Sequence, residues 1–237
     1  MTSRPNPSTT QASEREGFRG GIEIPGWELF YSGKVRDLYR RACDPGRMLM
    51  VATDRLSAFD VVFAETIPDR GRILTHITEY WVSRPETRIP CARITVRPEE
   101  IEGLPARFRD PLRGRVTLAH VADRIDVEVV LRARLAGSGW REYEKTGTLW
   151  GQPLPAGLQK SSPLPGIFLT PTTKAEKDEP ISWERAIELI GDRNDAARIR
   201  EMALELFETA ARSCRRKRVI LADTKFEFGR LDGKLVL

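Results

Sequence analysis

A chain of 237 residues, 40% hydrophobic and 31% charged, can bury a full core and fits one large or two small domains. Its net charge of +5 points to anionic partners, either nucleic acid or phosphorylated small molecules. No apolar run reaches the roughly 20 residues of a membrane span, and three scattered cysteines with two histidines leave little material for a zinc site or a histidine triad, so a cytoplasmic protein without a membrane partner is expected.

Residues 1–20 are rich in Ser, Thr, Pro and Arg and read as a disordered tail. From 27 to 52 the pattern is strand-like: 27–39, a turn at Asp44-Pro45-Gly46, then 48–52. Within it lies Ser32-Gly33-Lys34-Val35-Arg36-Asp37. Glycine lets backbone approach an anion closely, and Lys34 and Arg36, two apart on a strand, point the same way. No Gly-Lys-Ser/Thr opens a helix here, so this is not a Walker-type loop. Thr53-Asp54-Arg55-Leu56-Ser57-Ala58-Phe59-Asp60 follows directly after a hydrophobic strand. Its carboxylates, arginine and hydroxyl suit either a ligand loop or a polar turn with an Asp cap.

One helix is expected near 74–81, with strands and turns up to about Asp123. A second region begins around Ile125 with a strand over 127–131 and leads into Arg132-Ala133-Arg134-Leu135-Ala136-Gly137-Ser138-Gly139-Trp140. Arg132 and Arg134 share a face if the strand continues, and guanidinium forks suit phosphate and carboxylate. Gly137-Ser138-Gly139 then offers an anion-receptive turn of backbone N–H groups and a hydroxyl. Residues 147–171 are rich in Gly and Pro and read as a long loop. It ends at Thr170-Pro171-Thr172-Thr173-Lys174-Ala175-Glu176, with Asp178 and Glu179 beyond; alone, this segment reads better as a solvated connector than as a site.

Ser182 caps a short helix, Trp183–Ile190. Ile199, Met202, Ala203, Leu206, Phe207, Ala210 and Cys214 then form the core stripe of a longer one. Its basic end, Arg212 with Arg215 to Arg218, is a solvated helix terminus in this reading and not a nucleic-acid surface, because cations favour helix C-termini and no aromatics interleave. A strand over 219–228, an Asp232-Gly233 hairpin turn and a short return strand over 235–237 close the chain. On the first of these strands Asp223, Lys225 and Glu227 alternate with Ala222, Thr224, Phe226 and Phe228. Three charges about 7 Å apart on one rigid face could hold a metal ion and an anion side by side, or could face water.

In this order, these motifs resemble the SAICAR synthetase family (phosphoribosylaminoimidazole-succinocarboxamide synthases) of purine biosynthesis, over 27–237. The long segment after Gly147 is like that of the longer, yeast-type members. The resemblance implies an ATP-dependent ligase that joins L-aspartate to the carboxylate of carboxyaminoimidazole ribonucleotide (CAIR). It implies an α+β fold of two lobes with a kinase-like ATP cleft. The first lobe, 21–124, has a mainly antiparallel sheet and binds the ATP phosphates; the second, 125–237, is mixed and holds substrate and metal.

By the same resemblance, Gly33, Lys34 and Arg36 lie over the ATP phosphates, Glu128 lies near adenine, and Lys174 is also at the nucleotide. Arg132 and Ser138 hold CAIR, joined by Asp223 and Lys225 as catalytic residues, and Glu227 binds Mg²⁺. Asp54, Ser57, Asp60 and Asp178 fall on the substrate side. The chemistry suits such residues: a carboxylate must first become an acyl phosphate, and phosphoryl transfer asks mainly for positioning and charge neutralisation. Family members continue, past the equivalent of Leu237, into an acidic segment that completes the Mg²⁺ site and an Asp-x-x-Arg-like segment at the substrate. A chain without them is expected to bind nucleotide yet ligate poorly, as a remnant of the family, with an exposed sheet edge after Gly233. A basic nucleic-acid-binding protein is the rival, supported by charge alone.

Overall fold

Period-two alternation builds antiparallel sheets in the computed structural model, which describes residues 17–58, 61–86, 89–174 and 178–237. Two compact units form: the first runs to Ile77 and resumes over Thr95–Leu118, and the second joins Thr78–Ile94 to Ala119–Leu237. The sequence places a boundary near 124. Segment 78–94 instead belongs to the second unit, because its backbone is bonded to the end of the chain. Leu237 N–H donates to the Pro90 carbonyl at 2.8 Å, and Ala92 N–H donates to the Leu237 carbonyl at 2.9 Å. These bonds cover the backbone at Leu237, one residue beyond the return strand Lys234–Val236 that is expected to expose an edge.

In the first unit β1 (Glu28–Ser32), β2 (Arg36–Arg41) and β3 (Asp44–Ala52) pair in succession. Tyr39, Leu49 and Val51 are fully buried beneath them. The expected turn at Asp44-Pro45-Gly46 is displaced to Ala42 and Cys43. Arg41 pairs with Asp44 and Arg40 with Met48, so Pro45, Gly46 and Arg47 form a bulge at the start of β3. A bulge accommodates proline, which has no N–H for the ladder. β4 (Arg55–Ala58) and β5 (Val61–Thr66) make a separate hairpin. Then follow α1 (Arg70–Val82), β6 (Arg93–Thr95), a 3₁₀ turn at Pro98–Glu100, α2 (Ala106–Leu112) and β7 (Val116–His120); the sheet order is β1-β2-β3-β7-β6. Helix α2 was not expected: at seven residues, with Pro111 inside it, it is too short to show a helical stripe.

The second unit is organised by β8 (Asp123–Arg134), which is buried on both faces from Val127 to Arg132. After it come α3 (Gly137–Thr146), β9 (Thr148–Leu149), β10 (Gln152–Pro153), β11 (Pro163–Leu169) and β12 (Thr172–Thr173). The chain continues through α4 (Trp183–Ile190), α5 (Arg193–Arg216), β13 (Asp223–Leu231) and β14 (Lys234–Val236). The sheet order is β11-β8-β13-β14, with β12 also on β8.

Val127, Val129 and Leu131 of β8 pack with Ala186 and Ile190 of α4 and with Ile199, Met202, Ala203 and Phe207 of α5. The short helix starts where expected, and the longer one begins ahead of its expected stripe. The Ser182 side chain accepts from Arg185 N–H at 3.2 Å, and Asp192 accepts from Asn194 and Asp195 N–H at 2.7 and 2.9 Å. The segment 147–171 is therefore not the long loop that its prolines suggest. Pro163 and Pro165 lie on β11, an edge strand whose register shifts between Pro163 and Phe168, and an irregular edge tolerates missing N–H groups. The fold is mixed α+β with antiparallel sheets. No helix among the described residues is long and apolar enough to cross a membrane.

Candidate active site

The polar face of the β8–β13 pair gathers half of the site residues singled out in the sequence: Glu128, Arg132, Ser138, Lys174, Asp223, Lys225 and Glu227. Asp223, Lys225 and Glu227 are exposed, whereas Phe226 and Phe228 turn toward the core, so the alternation read from the sequence holds. Register sets Asp223 opposite Arg132, Lys225 opposite Val130, and Glu227 opposite Glu128. Like charges directly opposite each other repel, and here two lysines compensate the glutamate pair. Lys225 Nζ lies 2.8 Å from Glu128 Oε2, to which Thr172 Oγ1 also donates at 3.1 Å. Lys174 Nζ sits 2.8 Å from Glu227 Oε1 and 3.6 Å from Glu128 Oε1.

Burial alone would push the Glu128 carboxyl up. The Lys225 hydrogen bond and the charges of Lys225 and Lys174 outweigh it and hold the group below the ordinary glutamate value. Burial also disfavours the Lys174 ammonium, yet the hydrogen bond and charge of Glu227, with Glu128 and Asp178, keep its pKa above the ordinary lysine value. Both shifts favour an ion-paired network.

One register step along, Arg132 is only 6% exposed. Its Nε donates to Thr170 Oγ1 at 3.0 Å, Nη2 donates to Ser138 Oγ at 3.0 Å, and Nη1 stands 3.5 Å from Asp223 Oδ2. Burial draws the guanidinium below the ordinary arginine value, against the pull of Asp223 and Glu142. The Gly137-Ser138-Gly139 segment is the first turn of α3 and not a free turn; as a helix start it still presents unsatisfied N–H groups. Gly139 permits a close approach there, since a Cβ would stand 2.9 Å from Leu149 Cδ1.

In the first unit the glycine segment is a hairpin turn between β1 and β2, closed by Gly33 N–H donating to the Arg36 carbonyl at 2.8 Å. Lys34 therefore sits in the turn and Arg36 opens β2, which corrects the reading of both on one strand face. Arg55 Nη2 braces the turn, 2.8 Å from the Gly33 carbonyl and 2.7 Å from Asp37 Oδ1, and Ser32 Oγ donates to the same Asp37 oxygen at 2.7 Å.

Asp54 departs from its expected place at a substrate. It is buried, and its oxygens accept from Phe18, Gly71 and Asp69 N–H at 2.8, 2.8 and 3.2 Å and from Arg115 Nη1 at 3.1 Å. A carboxylate so fully engaged is a strut of the fold. Ser57 lies on β4 opposite Val62, and Asp178 is exposed. Asp60 falls outside the described residues. Among the described residues no three His, Cys, Asp or Glu side chains gather to hold a metal ion.

The sequence model for SAICAR synthetase matches residues 29–237. Over 217 residues the chain is 41% identical to the phosphoribosylaminoimidazole-succinocarboxamide synthase of Thermodesulfovibrio yellowstonii, spanning 90% of this chain and 73% of that protein. The chain belongs to the SAICAR synthetase family. Membership makes it a ligase of purine biosynthesis and favours that reading over a nucleotide-binding remnant. The SAICAR synthase of Saccharomyces cerevisiae, solved in complex with SAICAR, superimposes with a TM-score of 0.80 at 36% identity, over 92% of this chain and 74% of that one. A type-2 SAICAR synthetase solved with ADP shares the fold, with a TM-score of 0.66 at 22% identity over 87% of this chain and 77% of that one.

Within this SAICAR synthetase fold, four partners of the motif residues could not be named from the sequence. Arg115 lies far along the chain from Asp54 and is an unremarkable arginine beside Gly114. Thr170 and Thr172 stood inside a motif, but only their pairing along β8, with Thr170 N–H on the Val130 carbonyl and Thr172 opposite Glu128, shows what they touch. Trp150, in the segment read as a loop, places its ring 5.1 Å from the Arg132 guanidinium carbon.

Proposed function

We propose that this chain joins L-aspartate to CAIR at the expense of ATP, with CAIR on the β8–β13 face and the ATP phosphates at the Gly33–Arg36 turn. The observation that carries the reading is the continuous polar face on which Arg132, Ser138 and Asp223 adjoin Lys225, Glu128 and Glu227. CAIR brings a phosphate and a carboxylate. Arg132 and Ser138, with the N–H groups that open α3, form a receptor for one anionic group.

Lys225 is assigned to hold the CAIR carboxylate and to offset the charge that accumulates on phosphoryl transfer. The carboxylate oxygen attacks the γ-phosphorus, ADP leaves, and an acyl phosphate forms. The aspartate amine then attacks the acyl carbon, phosphate departs with the bridging oxygen, and the amine proton is lost to solvent or a carboxylate. No covalent enzyme intermediate is needed, which suits a site without a cysteine or histidine nucleophile.

Glu128 and Lys174 are assigned to the nucleotide. Glu227 fits Mg²⁺, an ion that takes one or two carboxylates together with phosphate oxygens. It is half exposed and ion-paired with Lys174, so it can turn toward a cation. When bound, the ion would neutralise phosphate charge. Ser57 and Asp178 remain assigned to the substrate side. A cytoplasmic setting suits the three free cysteines, Cys43, Cys91 and Cys214.

Paired calorimetric titrations test the assignment. Lys34→Ala is expected to weaken ATP roughly ten- to a hundredfold, the worth of one charge-assisted contact, and to spare CAIR. Arg132→Ala is expected to do the reverse. Equal losses for both ligands in both variants, with melting unchanged, would show that the two halves are misassigned.

A further inference from the structure

We infer that Trp150 is a positioning residue for the substrate anion, clamping the Arg132 guanidinium against Ser138 and Thr170. The inference rests on the assignment of Arg132 to CAIR. Strands β9 and β10 are joined by a two-residue turn, Trp150-Gly151, with Leu149 paired to Gln152. Both turn residues have positive φ, +51° and +75°, as in a type I′ turn. Asn-Gly or Asp-Gly suits such a turn; a bulky aromatic at positive φ is an outlier with an intrinsic cost.

The local surroundings do not offset that cost fully. The indole Nε1 is buried without a hydrogen-bond partner among the described residues, a second unfavourable feature. Strain held at a single residue points to a function for its side chain.

The side chain's contact supplies that function. The indole ring faces the Arg132 guanidinium at 5.1 Å, while Arg132 Nε and Nη2 are fixed at 3.0 Å by Thr170 and Ser138. Glu142 of α3 locks the turn by accepting from Trp150 N–H at 2.7 Å. Trp140, Tyr143, Leu154, Leu158 and Phe168 pack with Trp150 around Leu135, Leu149 and Leu164. The segment after Gly147 thus acts as a brace that carries an aromatic plate onto the arginine. A guanidinium stacked on indole in a desolvated place is held in one orientation, and its longest contact, 3.5 Å from Nη1 to the exposed Asp223, is the one an anion could replace.

Trp150→Asn separates this role from folding, because asparagine suits the turn and lacks the plate. Relief of the turn offsets part of the packing lost around Leu149, so the variant should still melt cooperatively, while CAIR affinity falls about tenfold and ATP affinity stays unchanged. Trp150→Phe, which keeps an aromatic face, should restore most of the loss. The Arg132 Nε–H resonance in a nitrogen-labelled sample should shift and broaden in Trp150→Asn. A resonance that does not move overturns the proposal, and so does unchanged CAIR affinity in a variant whose unaltered parent binds CAIR. If the resonance moves while the unaltered protein binds no CAIR, the clamp stands and the substrate assignment of Arg132 falls.

Discussion

Lys225→Met is expected to lower turnover roughly 10²–10³-fold, the usual cost of deleting one preorganised charge at a reacting centre. The ammonium is 2.8 Å from Glu128 Oε2 and its side chain is half exposed, so it can serve the buried carboxylate and a ligand at once. Methionine keeps the length and the apolar stem but no charge. The effect should fall on kcat more than on ATP affinity, because the Gly33–Arg36 turn and Lys174 are untouched and Glu128 keeps its Thr172 and Lys174 partners.

The same variant has a pH signature. In the parent, the folded-state pKa of Glu128 lies below its ordinary value of 4.5. A depressed carboxylate contributes stability that is present above the unfolded-state value and is lost as pH falls through the folded-state value. Melting should therefore weaken below about pH 4.5 in the parent. Removing Lys225 leaves burial less opposed and raises the Glu128 pKa, so the variant should lose less on acidification. Thermal melts across that range read the difference; equal slopes would mean that Lys225 does not hold Glu128.

Asp54→Ala is expected to destabilise the protein by about 3–5 kcal/mol, because it strands a buried partner charge. Asp54 and Arg115 are 2% and 4% exposed at the side chain, and Arg115 Nη1 also reaches the Ala52 carbonyl at 3.2 Å. The substitution removes acceptors from Phe18, Asp69 and Gly71 N–H together, so the entry to α1 and the segment at Phe18 lose their common anchor. For a chain of this size each kcal/mol moves the melting midpoint by about 2–4 °C, so a fall of order 10 °C is expected. A loss of turnover without a fall in melting temperature would instead return Asp54 to the substrate.

The contrast between Lys225 and Asp54 shows what was legible in the sequence. Asp223, Lys225 and Glu227 could be read because a strand imposes period two, and a run of alternating charges against aromatics survives folding unchanged. Ser182 and the stripe from Ile199 to Cys214 were legible for the same reason: caps and helical faces are local. Asp54 looked like a ligand because burial is not local; its partner Arg115 arrives from β7's doorstep, and nothing near Asp54 announces it. Lys34 was misread as a strand residue because the Gly33–Arg36 hydrogen bond, not side-chain pattern, makes the turn. Trp150 was hidden inside a proline-rich segment whose prolines turn out to sit on an irregular sheet edge.

The central claim is that a carboxylate is activated by phosphorylation before aspartate attacks it. Supplying CAIR with heavy oxygen in both carboxylate positions, together with ATP, Mg²⁺ and L-aspartate, tests this in a single turnover read by mass spectrometry. The phosphate released should carry one heavy oxygen and the amide product should keep the other. Product formed with unlabelled phosphate would contradict the account, because the carboxylate oxygen would then never have been bonded to the transferred phosphorus.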